Sequence, residues 1–261
     1  MDLGLADKHA LVLGASQGLG LATARALLAE GACVTLSARS PERLSAARDA
    51  LPAEHRIRCF LAPADLADAD APRRIIDAAL LNGPVDILVN NTGGPPPGLP
   101  SVTSADDVAI QFDRMVKPVL ALTIELVKGM RERQWGRILT IASSGVVQPI
   151  PHLPVSNALR STLVGFMKTL AGEVAPDGVT VNVLLPGRIA TARTETLDAA
   201  AAQRSGRSVA DIGRESAATI PAGRYGTVEE FGAVAAFLAG VPAGYVTGSL
   251  VRVDGGAIRS V

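Results

Sequence analysis

Three glycines, Gly14, Gly18 and Gly20, punctuate the stretch Val12-Leu13-Gly14-Ala15-Ser16-Gln17-Gly18-Leu19-Gly20, between the apolar run Ala10 to Leu13 and a helical pattern from Leu19 to Glu30. A strand, a glycine turn and a helix in that order make a phosphate site, because the N–H groups that open a helix lack intrahelical acceptors and point at an anion. Gly14 lets the strand turn sharply, Gly18 lets the main chain approach a pyrophosphate with no Cβ in the way, and Gly20 lets the helix pack close to the sheet. Ser16, Gln17 and Leu19 complete the turn's candidate surface. The spacing is G-x-x-x-G-x-G, not the commoner G-x-G-x-x-G, and such a turn by itself often only connects two elements. The residues at the later strand ends discriminate between the two roles.

The next strand-like run ends in Ser37-Ala38-Arg39-Ser40. Where an NAD site places an acid on the adenosine ribose, Arg39 can pair with a 2′-phosphate and favours NADP(H); the alternative is a solvated arginine opening a helix. After the third run stands Asp65-Leu66, whose carboxylate either accepts from an adenine amino group or forms a turn. The fourth run ends in Asn90-Asn91-Thr92-Gly93-Gly94, followed by Pro95-Pro96-Pro97-Gly98. Amides after a buried strand commonly form turns, and the proline triplet makes a stiff loop whose P-x-x-P match is more simply chance than a docking peptide.

These residues need a scaffold, and the chain alternates strand and helix. Strands are expected at Cys33 to Ala38, Ile57 to Leu61, Val85 to Val89, Arg137 to Ile141, Val179 to Leu185 and Ser249 to Val253. Helices are expected from Ser40-Pro41-Glu42 to about Leu51, Pro72 to Leu81, Val155 to Ala175 and Val228 to Leu238, with a long helical region from Ser104 to Arg133 that Lys117-Pro118 bends or divides. Alternation of this kind predicts an α/β fold: a Rossmann-like doubly wound parallel sheet of about seven strands, with helices on both faces, over a single domain 1–261. Ligands of such sheets bind beyond the carboxyl ends of the strands.

Composition bounds the partners. The 261 residues are 48% hydrophobic, and 25 basic residues balance 25 acidic ones. No broad field draws the protein to nucleic acid or anionic lipid. No stretch has the length of a membrane span and no basic-then-apolar leader is seen, so the expectation is a cytoplasmic protein. Cys33 and Cys59 show no metal-binding spacing and are expected as reduced core thiols, with no metal site.

Taken together, the Gly14/Gly18/Gly20 turn, Asn90-Asn91-Thr92-Gly93, Ser143, Pro186-Gly187, and the ending Tyr245-Val246-Thr247-Gly248 to Val253-Asp254-Gly255-Gly256 resemble the short-chain dehydrogenase/reductase family, and within it the 3-oxoacyl-carrier-protein reductase type. The resemblance covers nearly the whole chain. It implies an NADP(H)-dependent oxidoreductase of a small-molecule or carrier-linked carbonyl, a homodimer or homotetramer through the helices near Ser104 and Val155, and cofactor contacts from Asn91, Gly93, Pro186 and Gly187 besides the residues above.

The family's catalytic tetrad is another matter. The resemblance implies that Ser143 orients the substrate carbonyl. Thirteen residues on, where the family has tyrosine, stands Ser156; four further, in place of lysine, stands Arg160; Met115 holds the asparagine position. A serine hydroxyl is a far weaker acid than a phenol, and arginine stays charged and does not relay protons. Arg160 is favoured for a site role, reaching ribose hydroxyls or gripping an anionic substrate; Ser156 is favoured as a first-turn capping hydroxyl. The alternative for Arg160 is a helix-surface charge. His152 is the best substitute proton donor, against a solvent-facing loop histidine. The segment 188–221 corresponds to the family's substrate lid; its Arg188, Arg193, Arg204, Arg207 and Arg214 meet an acidic substrate or carrier phosphates, or simply coat solvated helices. Two functions stay open: a reductase with a non-standard active site, or a nucleotide-binding homologue without turnover, acting as sensor or oligomer subunit.

Overall fold

Strand β1 (His9–Leu13) is buried along its whole length and pairs in parallel with β2 (Cys33–Ser37) on one side and β4 (Ile87–Asn90) on the other. A computed structural model describes residues 1–260. From β2 the chain goes outward to β3 (Cys59–Leu61), then crosses back to β4 and continues to β5 (Gly136–Ile141), β6 (Val179–Pro186) and β7 (Leu250–Val253). The resulting order, β3-β2-β1-β4-β5-β6-β7, is that of a doubly wound parallel sheet, and the direction of winding reverses between β1 and β4. A crevice opens there, at the carboxyl ends of the strands. The single-domain, seven-stranded expectation is met.

Helices cover both faces, which is why β1, β4 and β5 are buried at every residue instead of alternating. On one face α1 (Gly18–Ala29) packs against α10 (Val228–Ala239), with Phe231 fully buried between the helices and the sheet. Burying such a ring contributes about 1.5–3 kcal/mol. On the other face lie α4 (Ala71–Leu80), α5 (Ala105–Met115), α6 (Lys117–Glu132) and α7 (Pro154–Val174). The helix starts carry the expected local chemistry. Ser40 caps α2 (Pro41–Asp49) by accepting from the Arg43 N–H at 3.2 Å, and full capping boxes at Ser104/Asp107 and Thr227/Glu230 open α5 and α10.

Boundaries differ where tertiary contacts override propensity. The third strand begins at Cys59, two residues later than expected, because a short helix α3 (Ala53–Arg56) takes up the preceding chain and Ile57 is exposed. The long helical region divides at Val116, since Pro118 has no N–H to continue the ladder and sits in the first turn of α6. The segment after β6 forms two helices, α8 (Ala192–Ser205) and α9 (Val209–Ala218). Both cysteines are free, and burial pushes the Cys59 thiol up to about 11. No described helix is long and apolar enough to cross a membrane.

His9 ties the lower rim together: Nε2 accepts from the Thr35 hydroxyl at 2.8 Å and Nδ1 donates to the Gly83 carbonyl at 3.2 Å. Burial holds its pKa below the ordinary 6.5. The unfolded chain therefore binds this proton more tightly, so His9 contributes stability in full above about pH 6.5 that is lost as pH falls towards the folded value. The urea midpoint is expected to drop between pH 7.5 and 5.5, and to drop less in His9→Gln. Equal drops in the two proteins would show that other groups govern the acid limb.

Candidate active site

One cavity of about 960 Å³ lies over the β1/β4 crevice. Its wall includes Gly14, Ser16, Gln17, Gly18, Leu19, Arg39, Asp65, Leu66, Asn91, Gly93, Ser143, Ser156, Arg160, Pro186 and Gly187. Of the cofactor and tetrad residues taken from the sequence, only Gly20 stays off the wall. It lies behind it instead: a Cβ at Gly20 would sit 2.4 Å from the Gly14 carbonyl oxygen, so helix α1 can approach the turn this closely only with glycine there. Asn91 locks the same turn by donating from Nδ2 to the Gly14 carbonyl at 3.3 Å. The N-cap Gln17 supplies no side-chain acceptor and the first turn holds no acid, which leaves the opening N–H groups of α1 for an external anion. The residues present fit a dinucleotide's pyrophosphate.

At one end Arg39 lies 4.0 Å from Asp65, with the arginine side chain 80% exposed. Asp65 also accepts from the Ala67 N–H at 3.1 Å, so its turn role is real and its second carboxylate oxygen is the one near Arg39. Arg43, from the first turn of α2, lines the same end. It went unnoticed in the sequence because it reads as an ordinary helix charge.

At the other end Ser143 leaves the tip of β5 and accepts from the Gly145 N–H at 3.1 Å. Helix α7 starts at Pro154 with Leu153 as its N-cap, and no side chain caps it. The capping role expected for Ser156 is therefore wrong: its hydroxyl is on the cavity wall, the residue is 7% exposed, and it has no hydrogen-bond partner among the described residues. Arg160, one turn on, is not a surface charge either. It is 8% exposed and donates from Nη1 to the Ile141 carbonyl at 2.9 Å and from Nη2 to the Thr92 carbonyl at 3.3 Å. Burial, and then the neighbouring Arg193, lower its pKa to about 10, which still leaves it a cation at neutral pH. Met115, 3% exposed, closes the wall at the end of α5.

His152 does not reach this place. It is exposed, in a left-handed backbone conformation with φ 62°, and contributes only its carbonyl, which accepts from the Gly98 N–H at 2.9 Å. Neither tyrosine substitutes: Tyr225 donates to Asp198 at 2.8 Å off the wall, and Tyr245 is fully exposed. The five arginines of 188–221 part company. Arg188 pairs with buried Asp198, Arg207 with Glu215 and Arg214 with Asp211, while Arg204 is exposed. Arg193, also exposed, lines the cavity wall and donates to the Pro95 carbonyl at 2.8 Å.

The model of the family described as short chain dehydrogenase matches residues 8–202. The chain belongs to the short-chain dehydrogenase family. It is 37% identical to Nodulation protein G of Rhizobium sp. (strain N33), over 97% of each chain, and 36% identical to the 3-oxoacyl-[acyl-carrier-protein] reductase FabG of Escherichia coli (strain K12), over 95% of this chain and 96% of that one. Its fold matches the crystal structure of L-sorbose reductase from Gluconobacter frateurii complexed with NADPH and L-sorbose, with a TM-score of 0.93 and 31% identity over the whole of both chains. Membership makes the chain an NAD(P)-dependent oxidoreductase.

The cavity of this short-chain dehydrogenase has a one-sided charge distribution. The ionisable side chains on the wall are six arginines, Arg39, Arg43, Arg114, Arg160, Arg188 and Arg193, and one acid, Asp65; among the described residues no tyrosine, lysine or histidine lines it. In a chain of formal charge zero, that excess is local. Spacing could not reveal it, since these arginines come from widely separated segments of the chain.

Proposed function

We propose that this short-chain dehydrogenase binds NADP(H) along the cavity and reduces a carbonyl group at Ser143, through an active site in which Ser156, Arg160 and Met115 replace the family's tyrosine, lysine and asparagine. The observation that carries it is the continuity of one cavity from the open N-terminus of α1 to Ser143 and Arg160. NADP(H), when bound, supplies or removes a hydride. The Gly14–Gly20 turn and α1 hold its pyrophosphate, Arg39 and Arg43 its 2′-phosphate, and Asp65, Leu66, Asn91, Gly93, Pro186 and Gly187 the remainder. The NADPH in the sorbose reductase structure supports the choice of cofactor.

Ser143 donates to the carbonyl oxygen and polarises it, with the free Ser156 hydroxyl as a second donor. Arg160 spends two of its five N–H groups on backbone carbonyls, and the others reach ribose hydroxyls while its charge stabilises the developing alkoxide. With no titrating group near neutrality on the wall, the proton comes from water entering the open cavity. The 188–221 segment closes over the substrate. Exposed Ile110 and Phe112 on α5 and Ile124 on α6 support a homodimer or homotetramer through the helices that begin near Ser104 and Val155; the protein works in the cytoplasm.

Calorimetry with NADPH and NADH tests the cofactor. NADPH is expected to bind at least about tenfold more tightly, and Arg39→Ala to shrink that advantage by about tenfold, the worth of one charge-assisted contact. Uptake of neither nucleotide by folded protein would end the proposal. A second function, a nucleotide-binding subunit or sensor without turnover, is favoured by one observation, the absence of any tyrosine, lysine or histidine from the described wall. Tight NADPH binding with no oxidation of it across a panel of carbonyls would select that alternative.

A further inference from the structure

Arg39, Arg43 and Asp65 are accounted for by the cofactor, and Arg188 is neutralised by Asp198. Arg193 is not, and the ribose hydroxyls that Arg160 reaches are neutral and leave its charge uncancelled. Both are anchored on one loop, Arg160 on the Thr92 carbonyl and Arg193 on the Pro95 carbonyl, and neither has a carboxylate partner among the described residues. Carbonyls satisfy N–H groups without cancelling charge, so two like charges line one cavity, Arg160 at 8% exposure and Arg193 on its solvent-exposed side. The loop lies against them: a Cβ at Gly94 would lie 3.0 Å from Arg193 Nη2, which places the guanidinium close over the loop backbone, and Pro95, Pro96 and Pro97 bring no N–H to compete for the Pro95 carbonyl while stiffening its position. A second observation lies beside the first: Ser156, 7% exposed, lines the same wall, and its hydroxyl has no hydrogen-bond partner among the described residues.

We propose that the substrate is a free oxo acid whose carboxylate is held by Arg193, with Arg160 behind it, while its carbonyl lies at Ser143. A guanidinium fork reads a carboxylate in two parallel hydrogen bonds, and Ser156 donates to whichever oxygen, carboxylate or carbonyl, faces it. A carrier's phosphate is not the anion that fits here: on a pantetheine arm it is many bonds from the thioester and would sit far from a buried arginine beside the reacting carbonyl. The proposal rests on the cofactor and carbonyl assignments above.

The test compares NADPH-dependent reduction of pyruvate, acetoacetate and levulinate with that of their methyl esters, which exchange the charge for one methyl group. At least one acid is expected to exceed its ester by about tenfold or more in kcat/KM, with the ratio falling towards one in Arg193→Gln and partly kept in Arg193→Lys. In parallel, malonate is titrated calorimetrically into wild type and Arg193→Gln, each loaded with NADP; binding by the first and at least about tenfold weaker binding by the second supports the site even where no panel member turns over. Equal rates for acids and esters, better reduction of acetoacetyl-pantetheine or acetoacetyl-phosphopantetheine than of acetoacetate, or malonate binding indifferent to Arg193 would each overturn it. If NADPH itself fails to bind, the cofactor assignment fails; if it binds and malonate does not, only the carboxylate site does.

Discussion

Ser156→Tyr combined with Arg160→Lys and Met115→Asn is expected to raise the reduction of a neutral ketone ester by about 10²- to 10⁴-fold, the range a positioned general acid contributes. The position is right for it. Ser156 faces the cavity with an unpartnered hydroxyl, so a phenol projecting from it enters open space, and residue 160, one helical turn further, lies on the same side. A lysine there places a cation near the phenol and lowers its pKa from about 10 towards the working range, which a solvent proton reaching an alkoxide cannot match. The gain carries a sign in pH: the tyrosine donates only while protonated, so the new rate falls as pH rises through the phenol's lowered pKa, whereas wild type has no such limb until Arg160 itself begins to lose its charge near 10. Steady-state oxidation of NADPH from pH 6 to 10 reads both effects, the range chosen to bracket that pKa. Should the triple variant fold, bind NADPH and gain nothing, Ser156 does not occupy the proton donor's place. Should wild type show no turnover and the variant recover it, the nucleotide-binding alternative gains.

Gly20→Ala is the second large effect. In an exposed helix this change gains up to about 1 kcal/mol, because alanine loses less backbone entropy. Here the added Cβ would stand 2.4 Å from the Gly14 carbonyl oxygen and 2.9 Å from Asn91 Nδ2, and the first of these is backbone that cannot rotate aside. Overpacking of that kind costs about 1–3 kcal/mol, so the clash outweighs the propensity. Relief moves α1 away from the turn and opens the phosphate cradle, and NADPH affinity is expected to fall at least about tenfold. Thermal unfolding with and without NADPH measures both losses. Gly172→Ala, in α7 with nothing within 4 Å of its added Cβ, is the control and is expected to stabilise by up to about 1 kcal/mol. A Gly20→Ala protein as stable as wild type and binding NADPH normally would remove the close-packing role from this glycine.

Much of the frame was legible because it depends on local pattern. Continuous apolar runs at Leu11, Leu88 and Ile138 announce strands covered on both faces, and Ser40-Pro41-Glu42 announces a helix start whatever lies around it. The glycine turn is legible for the same reason, since its conformation demands the residue type. Inside the site the sequence went less far. Position 156 suggested a cap because serine often caps first turns, yet the helix begins one residue after Leu153 and turns that hydroxyl into the cavity. His152 stands four residues before position 156 in the chain, but it is an exposed loop residue in a left-handed backbone conformation and does not line the cavity.

Sequence by itself determined the parallel sheet, the phosphate turn, and which residue types stand at 143, 156 and 160. Only the tertiary structure decided which arginines remain unneutralised. Five stand between 188 and 221, alike in the chain; Asp198, Glu215 and Asp211 take Arg188, Arg207 and Arg214, and Arg193 meets the Pro95 carbonyl beside the buried Arg160. Charge follows from residue type, but its compensation depends on which acceptor another element brings within a few ångströms, and that is a property of packing.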